Sequence, residues 1–423
     1  MPEGAIFQTR LGITATEEYS DNFFLSATKR RDNFRSLLSP SVGLDLNSAF
    51  TTGQLAYTLS AAHDTISSSS DVQLFHSFLG AVSWRASPLL TLGLTDTLVR
   101  SDEPTQADRL ELRRERRTFM TNMLGATARY LLGPITTGAS YGFSTFLGEG
   151  EGNTTSHTFG LSAGMGLYET NSVSVRYEYL LSNTTAGRSA SIGGGRDEEI
   201  TGHRVIGTFT RQLTTLMAGG ITGSYAIRRS DTGRNDTSSV VGSGIASGND
   251  YDTWSVSLFN SYTADRLSMA GSIGYSMVEP TRGGSTSSVT STTSISYRFA
   301  RAYATLSLDS GFSETYAQGQ NFGVVETRGV VLSLSYPVTP TFGTSISSFY
   351  RTNSGAGQSE DEQTWGVNAL GTIRLTRWLT LLLEYSHREG SGGTLASVTG
   401  TTSTSGGSGF SENRGRISLS AAF

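Results

Sequence analysis

Cysteine is absent from this chain of 423 residues, and proline is scarce, at 8. Without Cys the chain forms no disulfides, thiolate metal sites, iron–sulfur clusters or covalent c-type haem attachments. Charge is thin as well: 16% of residues are Asp, Glu, Lys or Arg, against about 25% in soluble domains. The formal net charge is −4 and no long Lys/Arg run occurs, which argues against nucleic acid as the main partner. No apolar run approaches the ~18 residues of a transmembrane helix. Residues 1–7 have neither the basic start nor the apolar stretch of a signal peptide, so the chain is either a mature form or one whose first residues were replaced or lost. What abounds is glycine, 50 residues, and with a mean hydropathy of −0.20 the averages describe a bland soluble protein. The order of the residues does not.

Helical periodicity is nearly missing, whereas alternation with a period of two recurs along almost the whole chain. Val173, Val175, Tyr177, Tyr179 and Leu181 share one face, with Ser174, Arg176 and Glu178 on the other. Leu267, Met269, Ile273, Tyr275 and Met277 oppose Ser268, Ala270, Ser272, Gly274 and Ser276. Two kinds of break separate these runs and alternate strictly. Nine are short turns, near 47–52, 86–88, 132–134, 170–171, 214–215, 264–265, 300–301, 338–340 and 377. Ten are longer and polar, at 20–32, 64–71, 101–116, 148–156, 183–198, 230–250, 279–286, 315–321, 353–362 and 389–411. They delimit about 20 segments (18–22 allowing for miscounts), mostly longer than the ~5–6 residues of soluble strands.

The pattern predicts an all-β protein: one transmembrane antiparallel up-and-down β-barrel over residues 1–423, with no separate plug or periplasmic domain. Short turns face the periplasm and long loops the exterior of a bacterial outer membrane. A soluble sandwich also alternates, but its second face would need an apolar layer, and here that face is Ser, Thr, Gly and charge. Aromatic residues close the apolar faces beside the short turns, at Trp84, Tyr130, Phe209, Tyr297, Phe299, Tyr336, Phe342 and Trp378, where an interfacial girdle belongs. Pro40, inside the second segment, lacks a ladder donor and predicts a bulge there or a strand that begins after it.

Parity places Arg85, Arg129, Arg176, Glu178, Arg298, Asp309, Arg374, Glu384, Arg414 and Arg416 on the pore-lining face. Two roles are open to them. They make a partly basic periplasmic vestibule that attracts anionic solutes or polymers, or they pair with lumen carboxylates and stiffen the wall. Loop 101–117 is the candidate constriction, with Pro104 at a helix start and Ser101 or Asp102 as cap, followed by Ala107, Leu110 and Leu112. Its Arg113, Arg114, Arg116 and Arg117, facing Asp102, Glu103, Asp108 and Glu111, either fold it against the lumen wall or leave it exposed. The Gly/Ser/Thr-rich loops 230–250 and 389–411 read as mobile.

Catalytic and metal sites find little support. None of His63, His76, His157, His203 and His387 has metal-ligand spacing. His63 and Asp64 with 67–70 read as a solvated turn rather than a triad, and Gly193–Gly195 as a loop rather than a phosphate cradle. Carboxylates at 231–236 and 248–252 read as solvated rather than as a calcium site. No enzyme activity and no cofactor are expected.

Two short segments carry resemblances. Ile417, Leu419 and Ala421 alternate with polar residues up to Phe423, which resembles the C-terminal strand recognised by the outer-membrane barrel-assembly machinery. Glu18-Tyr19-Ser20-Asp21-Asn22-Phe23-Phe24-Leu25, followed by Pro40-Ser41-Val42-Gly43-Leu44, is similar to the opening of outer-membrane barrels encoded with exopolysaccharide and capsule export genes, including those of PEP-CTERM sorting clusters. That resemblance covers about thirty residues and implies a pore for exopolysaccharide export, with polysaccharide and membrane lipid as partners. A sleeve around a lumen-occupying partner such as a multihaem cytochrome, a general diffusion porin, and a surface-display scaffold are the alternatives.

Overall fold

The computed structural model describes residues 6–66, 72–107, 116–148, 153–185, 198–231, 250–281, 284–314, 324–355, 362–392 and 409–423. The first ten strands are β1 (Ile6–Ser20), β2 (Asn33–Asn47), β3 (Thr51–Asp64), β4 (Gln73–Arg85), β5 (Leu90–Ser101), β6 (Phe119–Leu132), β7 (Ile135–Gly148), β8 (Asn153–Leu167), β9 (Asn171–Thr185) and β10 (Glu198–Thr214). The rest are β11 (Met217–Ser230), β12 (Tyr251–Thr263), β13 (Leu267–Pro280), β14 (Thr286–Arg298), β15 (Tyr303–Glu314), β16 (Val324–Pro337), β17 (Phe342–Gly355), β18 (Glu362–Arg374), β19 (Leu379–Gly392) and β20 (Phe410–Ala422). A single helical turn, α1 (Pro104–Ala107), follows β5. Each strand pairs antiparallel with the next. β1 also pairs with β20, from Gly12 opposite Ala422 to Ser20 opposite Arg414, so the 20-stranded sheet closes on itself.

Every short connection lies where the sequence puts it, and all fall on one rim. Two have only two residues, 215–216 between the paired residues Thr214 and Met217, and Gly133–Pro134 between Leu132 and Ile135, with Gly133 at φ 59°, a backbone shape glycine takes without strain. Period two then sorts the side chains. Outward residues such as Leu161, Leu258, Ile273 and Ile417 are 57–63% exposed, an apolar surface that only lipid covers. Inward residues link across strands through hydroxyls, as in Thr14–Ser420, Thr16–Ser418, Ser156–Ser182 and Ser272–Thr292. No helix among the described residues is long and apolar enough to cross a membrane; the strands cross it. Closure gives every lipid-facing strand a partner on both edges, as hydrocarbon demands. The protein is a β-barrel of the bacterial outer membrane.

The short-turn rim carries the expected aromatics, with Trp378 stacked on Phe423 at 6.0 Å. A second belt, near the long-loop rim, was not anticipated. All five histidines occupy outward register positions. Three accept or donate a hydrogen bond at Nδ1 with a tyrosine hydroxyl of the preceding strand: Tyr57–His76, Tyr141–His157 and Tyr177–His203, at 2.7–2.9 Å. His387 meets Asn413 at 2.9 Å and the Trp365 ring at 4.9 Å. Rings with one apolar body and one polar edge suit the headgroup level.

Pro40 corrects one expectation. β2 runs through it without a bulge, and its register with β3 is the same on both sides, Leu38 opposite Ala61 and Ser41 opposite Thr58. The ladder simply skips Ser39 and Pro40, where the ring has no N–H to give. The Ser39 and Ser60 hydroxyls bond at 2.8 Å across that gap.

A second irregularity reshapes the lumen. β14 and β15 pair only as far as Ser291 opposite Ser310. At Gly311 the backbone takes φ 144°, and a side chain there would strike the Thr290 methyl at 2.9 Å, so the position requires glycine. Beyond it Phe312, which parity would send into lipid, packs with Val324 on the inward residues Leu180, Ile200, Tyr251 and Val278. The upper ends of β15 and β16 therefore lean into the barrel, held by Arg228–Glu314 at 2.7 Å and Ser288–Glu326 at 2.7 Å.

Placing a charge on the outer face tests this orientation. Leu258→Arg or Ile273→Arg is expected to lower unfolding stability in phospholipid vesicles by about 2–4 kcal/mol, whereas Ser257→Arg on the inner face costs under ~1 kcal/mol. Equal costs on the two faces would contradict the assignment.

Candidate functional site: an ion-paired constriction in the lumen

Register places all ten expected pore-lining residues on the inner side of the wall, spread from one rim to the other rather than gathered at one point. Their environments differ. Arg176 pairs with Glu178 at 2.8 Å, and Arg298 with Asp265 at 2.9 Å. Asp309 packs its carboxylate where a Cβ of Gly329 would be, without an ion pair among the described residues. Arg85, Arg129 and Arg374, all close to short turns, likewise form no ion pair among the described residues. Glu384, Arg414 and Arg416 belong to a dense network near the long-loop rim.

That network is built around the connection from β5 to β6, of which 102–107 and 116–118 are described. Ser101 Oγ accepts the Glu103 amide at 3.1 Å, and α1 starts at Pro104, as the spacing predicts. Arg113, Arg114, Asp108, Glu111, Leu110 and Leu112 lie outside the described residues. The segment turns into the lumen and is fastened at both ends. At its start, Asp102 accepts both terminal nitrogens of Arg35, at 2.6 and 3.0 Å. The same guanidinium gives Nε and Nη2 to Asp64, at 2.7 and 2.8 Å, and Asn33 adds a bond to Asp64 at 2.7 Å. Arg35 thus lies 6% exposed between two carboxylates, a fork-to-fork geometry on each side.

At its far end, Arg116, with a side chain 1% exposed, bridges Glu103 at 3.0 Å and Glu412 of β20 at 3.4 Å. Arg414 donates to Glu103 at 2.8 Å, and Arg416 reaches Glu18 of β1 at 2.6 Å and Glu384 of β19 at 3.3 Å. The Phe23 ring, delivered by the turn after β1, lies 4.8 Å from the Arg35 guanidinium and 4.4 Å from that of Arg116. One aromatic ring between two cations ties the turn after β1 to the same cluster. Burial pushes the Glu103 carboxyl up, but the fields of Arg116, Arg414, Arg388 and Arg416 outweigh it and hold it at about 2.

The N-terminal motif that carries the family resemblance sits in this cluster. Glu18 binds Arg416, Ser20 donates to Glu412 at 2.7 Å, and Asp21 accepts the backbone and side-chain N–H groups of Asn413, each at 2.7 Å. Asn22 donates to the Ser26 and Ser411 carbonyls. The motif is a clasp across the barrel seam.

Other candidate groups separate. His63 points outward and Asp64 inward, and 67–70 lie outside the described residues, as do Gly193–Gly195 and 232–249. Asp252 is engaged by Tyr225 and Arg229, and Asp250 by the Ser230 amide. The loops read as mobile lie mostly outside the described residues.

No protein-family model and no curated protein matches this chain. Among solved structures it is similar to a mutant of the ferric enterobactin receptor of Pseudomonas aeruginosa, with a TM-score of 0.52 and 11% identity over 98% of this chain and 80% of that one. A second mutant of that receptor, in complex with enterobactin, gives a TM-score of 0.51 and 11% identity over 98% of this chain and 81% of that one. At this identity the likeness is one of fold.

Two predictions follow from the cluster. Arg35→Leu strands Asp64 and Asp102 and is expected to cost about 3–5 kcal/mol in urea unfolding, far more than Arg10→Leu at an exposed pair. Glu103 has a depressed pKa, so its contribution is complete above about 4.5 and disappears as the pH falls through about 2. Hydrogen-exchange protection of the Glu103 and Gln106 amides should hold between about pH 7 and 5 and collapse towards pH 2. A loss already at pH 6 would mean that other groups hold the segment.

Proposed function

We propose that the protein is an outer-membrane channel that conducts exopolysaccharide outward, entered through a basic periplasmic mouth and narrowed beneath the exterior by residues 102–107 and 116–118. The observation that carries this reading is the unequal treatment of lumen arginines. Near the long loops Arg35, Arg116, Arg414 and Arg416 are matched by carboxylates. Near the short turns Arg10 and Arg298 keep one exposed carboxylate partner each, while Arg85, Arg129 and Arg374 form no ion pair among the described residues. Uncompensated charge costs nothing in cross-strand packing and raises the local concentration of anions. Beyond the mouth, a wall of Ser, Thr and Gly offers many shallow contacts, which a sliding polymer needs more than one deep site. A sleeve for a folded partner would require the exterior end clear, and there Phe23, Arg116 and the β15–β16 tip already occupy the lumen.

Planar-bilayer recording tests the proposal. Purified protein should conduct with a preference for anions, and the triple variant R85Q/R129Q/R374Q should lose roughly two-fold in anion-to-cation permeability. Alginate oligosaccharides added on the short-turn side should block the current reversibly. Cation preference would remove the role of the mouth. Small-solute conductance that no oligosaccharide interrupts would favour a general diffusion porin.

A further inference from the structure

The inward lean of β15 and β16 leaves a partly open cavity of about 410 Å3 between Phe312, Val324 and the inner wall, well within the range of ligand pockets. Its two sides are chemically unlike. The wall side presents the hydroxyls of Ser224, Ser255 and Ser276 from paired inward positions on β11, β12 and β13, with Thr158 of β8 farther round the wall. The roof side is apolar, formed by Phe312 and Val324 over Leu180 and Val278. Ser276 is 8% exposed, and its buried Oγ, at the lining of the cavity, has no hydrogen-bond partner. Ser224 and Ser255 bond to each other at 2.8 Å and keep capacity for a further bond each. Arg204 also lines the cavity and has no ion pair among the described residues. The charges of the lining sum to zero, Glu178 and Glu314 against Arg204 and Arg228, with Arg228 paired to Glu314 at 2.7 Å.

We propose that this cavity binds one uncharged sugar ring, packing the ring's C–H face under Phe312 and exchanging hydroxyl hydrogen bonds with Ser276, Ser255 and Arg204. A pyranose has this two-sidedness, an apolar face bordered by hydroxyls. The balanced charge of the cavity disfavours a strongly ionic ligand, and its hydroxyl wall disfavours a wholly apolar one. This deepens the polymer-conduit reading and rests on it: the basic mouth acts at long range on any anionic group, whereas the cavity holds a ring by contact. Its place beside Gly311 means that the same backbone turn that tilts the strands inward also creates the site.

The test is saturation-transfer NMR on the purified full-length barrel in a detergent without a sugar headgroup, using D-glucose, D-galactose and D-mannose as probes and sodium acetate as the ionic comparison. At least one sugar should receive saturation at its ring protons, and acetate none. Ser276→Leu, which fills the cavity, and Arg204→Gln should each weaken the sugar signal five-fold or more. Ser140→Leu, on the inner wall away from the cavity, should not. Heat-modifiable electrophoretic migration reports that each variant is folded, and Ser276→Ala, which keeps the volume, should weaken binding by a smaller factor. No transfer to any sugar, or transfer unchanged in Ser276→Leu, overturns the site. Bilayer recording on the same samples separates the two claims: conductance without sugar transfer leaves the channel and removes the cavity, while transfer in a protein that never conducts keeps the cavity and removes the conduit.

Discussion

Every backbone N–H and C=O that crosses the hydrocarbon layer must find a partner within the protein, and this requirement organises the whole molecule. It forces closure between β1 and β20, and it leaves the side chains to be sorted by the pleat alone. Where the ladder fails, hydroxyls stand in. At Pro40 the Ser39–Ser60 pair spans the skipped rungs. Where β15 leaves β14, the Val289 carbonyl is taken up by Ser310 Oγ at 3.2 Å and Ser288 Oγ at 3.4 Å. The abundance of Ser and Thr on the inner face thus serves two ends, a wetted wall and a stock of local replacements for lost backbone bonds.

Charge follows a gradient set by burial. Close to the long-loop rim, inward segments exclude water, and an isolated guanidinium there would be costly, so Arg35 and Arg116 come with two carboxylates each. Close to the short turns the lumen is open, pairs such as Arg10–Asp45 and Arg298–Asp265 stay exposed, and Arg85 and Arg129 form no ion pair among the described residues. The same residue type is structural at one end and electrostatic at the other. The sequence alone leaves these roles open, because parity tells which side a residue faces and not how deeply it is covered.

Much of the fold was legible from period two and from the alternation of turn lengths, since a closed antiparallel sheet has no freedom beyond those. The inward placement of 102–107 and 116–118 was half legible: charge density and the Ser101–Pro104 start signalled an ordered segment, but its partners Arg35, Glu412 and Arg414 lie on β2 and β20, brought near only by closure. Gly311 carried no usable signal, being one of 50 glycines. The histidine belt was readable and missed. Each His falls on the apolar parity of its strand, and sharing a face with Tyr57, Tyr141 and Tyr177 points to an interfacial role rather than to catalysis or metal binding.

The clasp at the seam has a consequence for how the barrel is made. Glu18 and Arg416 are 398 positions apart, and Ser20 and Glu412 392. Chain entropy opposes such contacts until nearly all the intervening strands are in place, so the clasp contributes nothing to early folding and much to the last step. Because the same cluster anchors the constriction, the segment that narrows the lumen gains its full set of partners only once the cylinder is sealed. A half-assembled barrel would lack its narrow point, and the narrowing of the pore is itself a sign that assembly has finished.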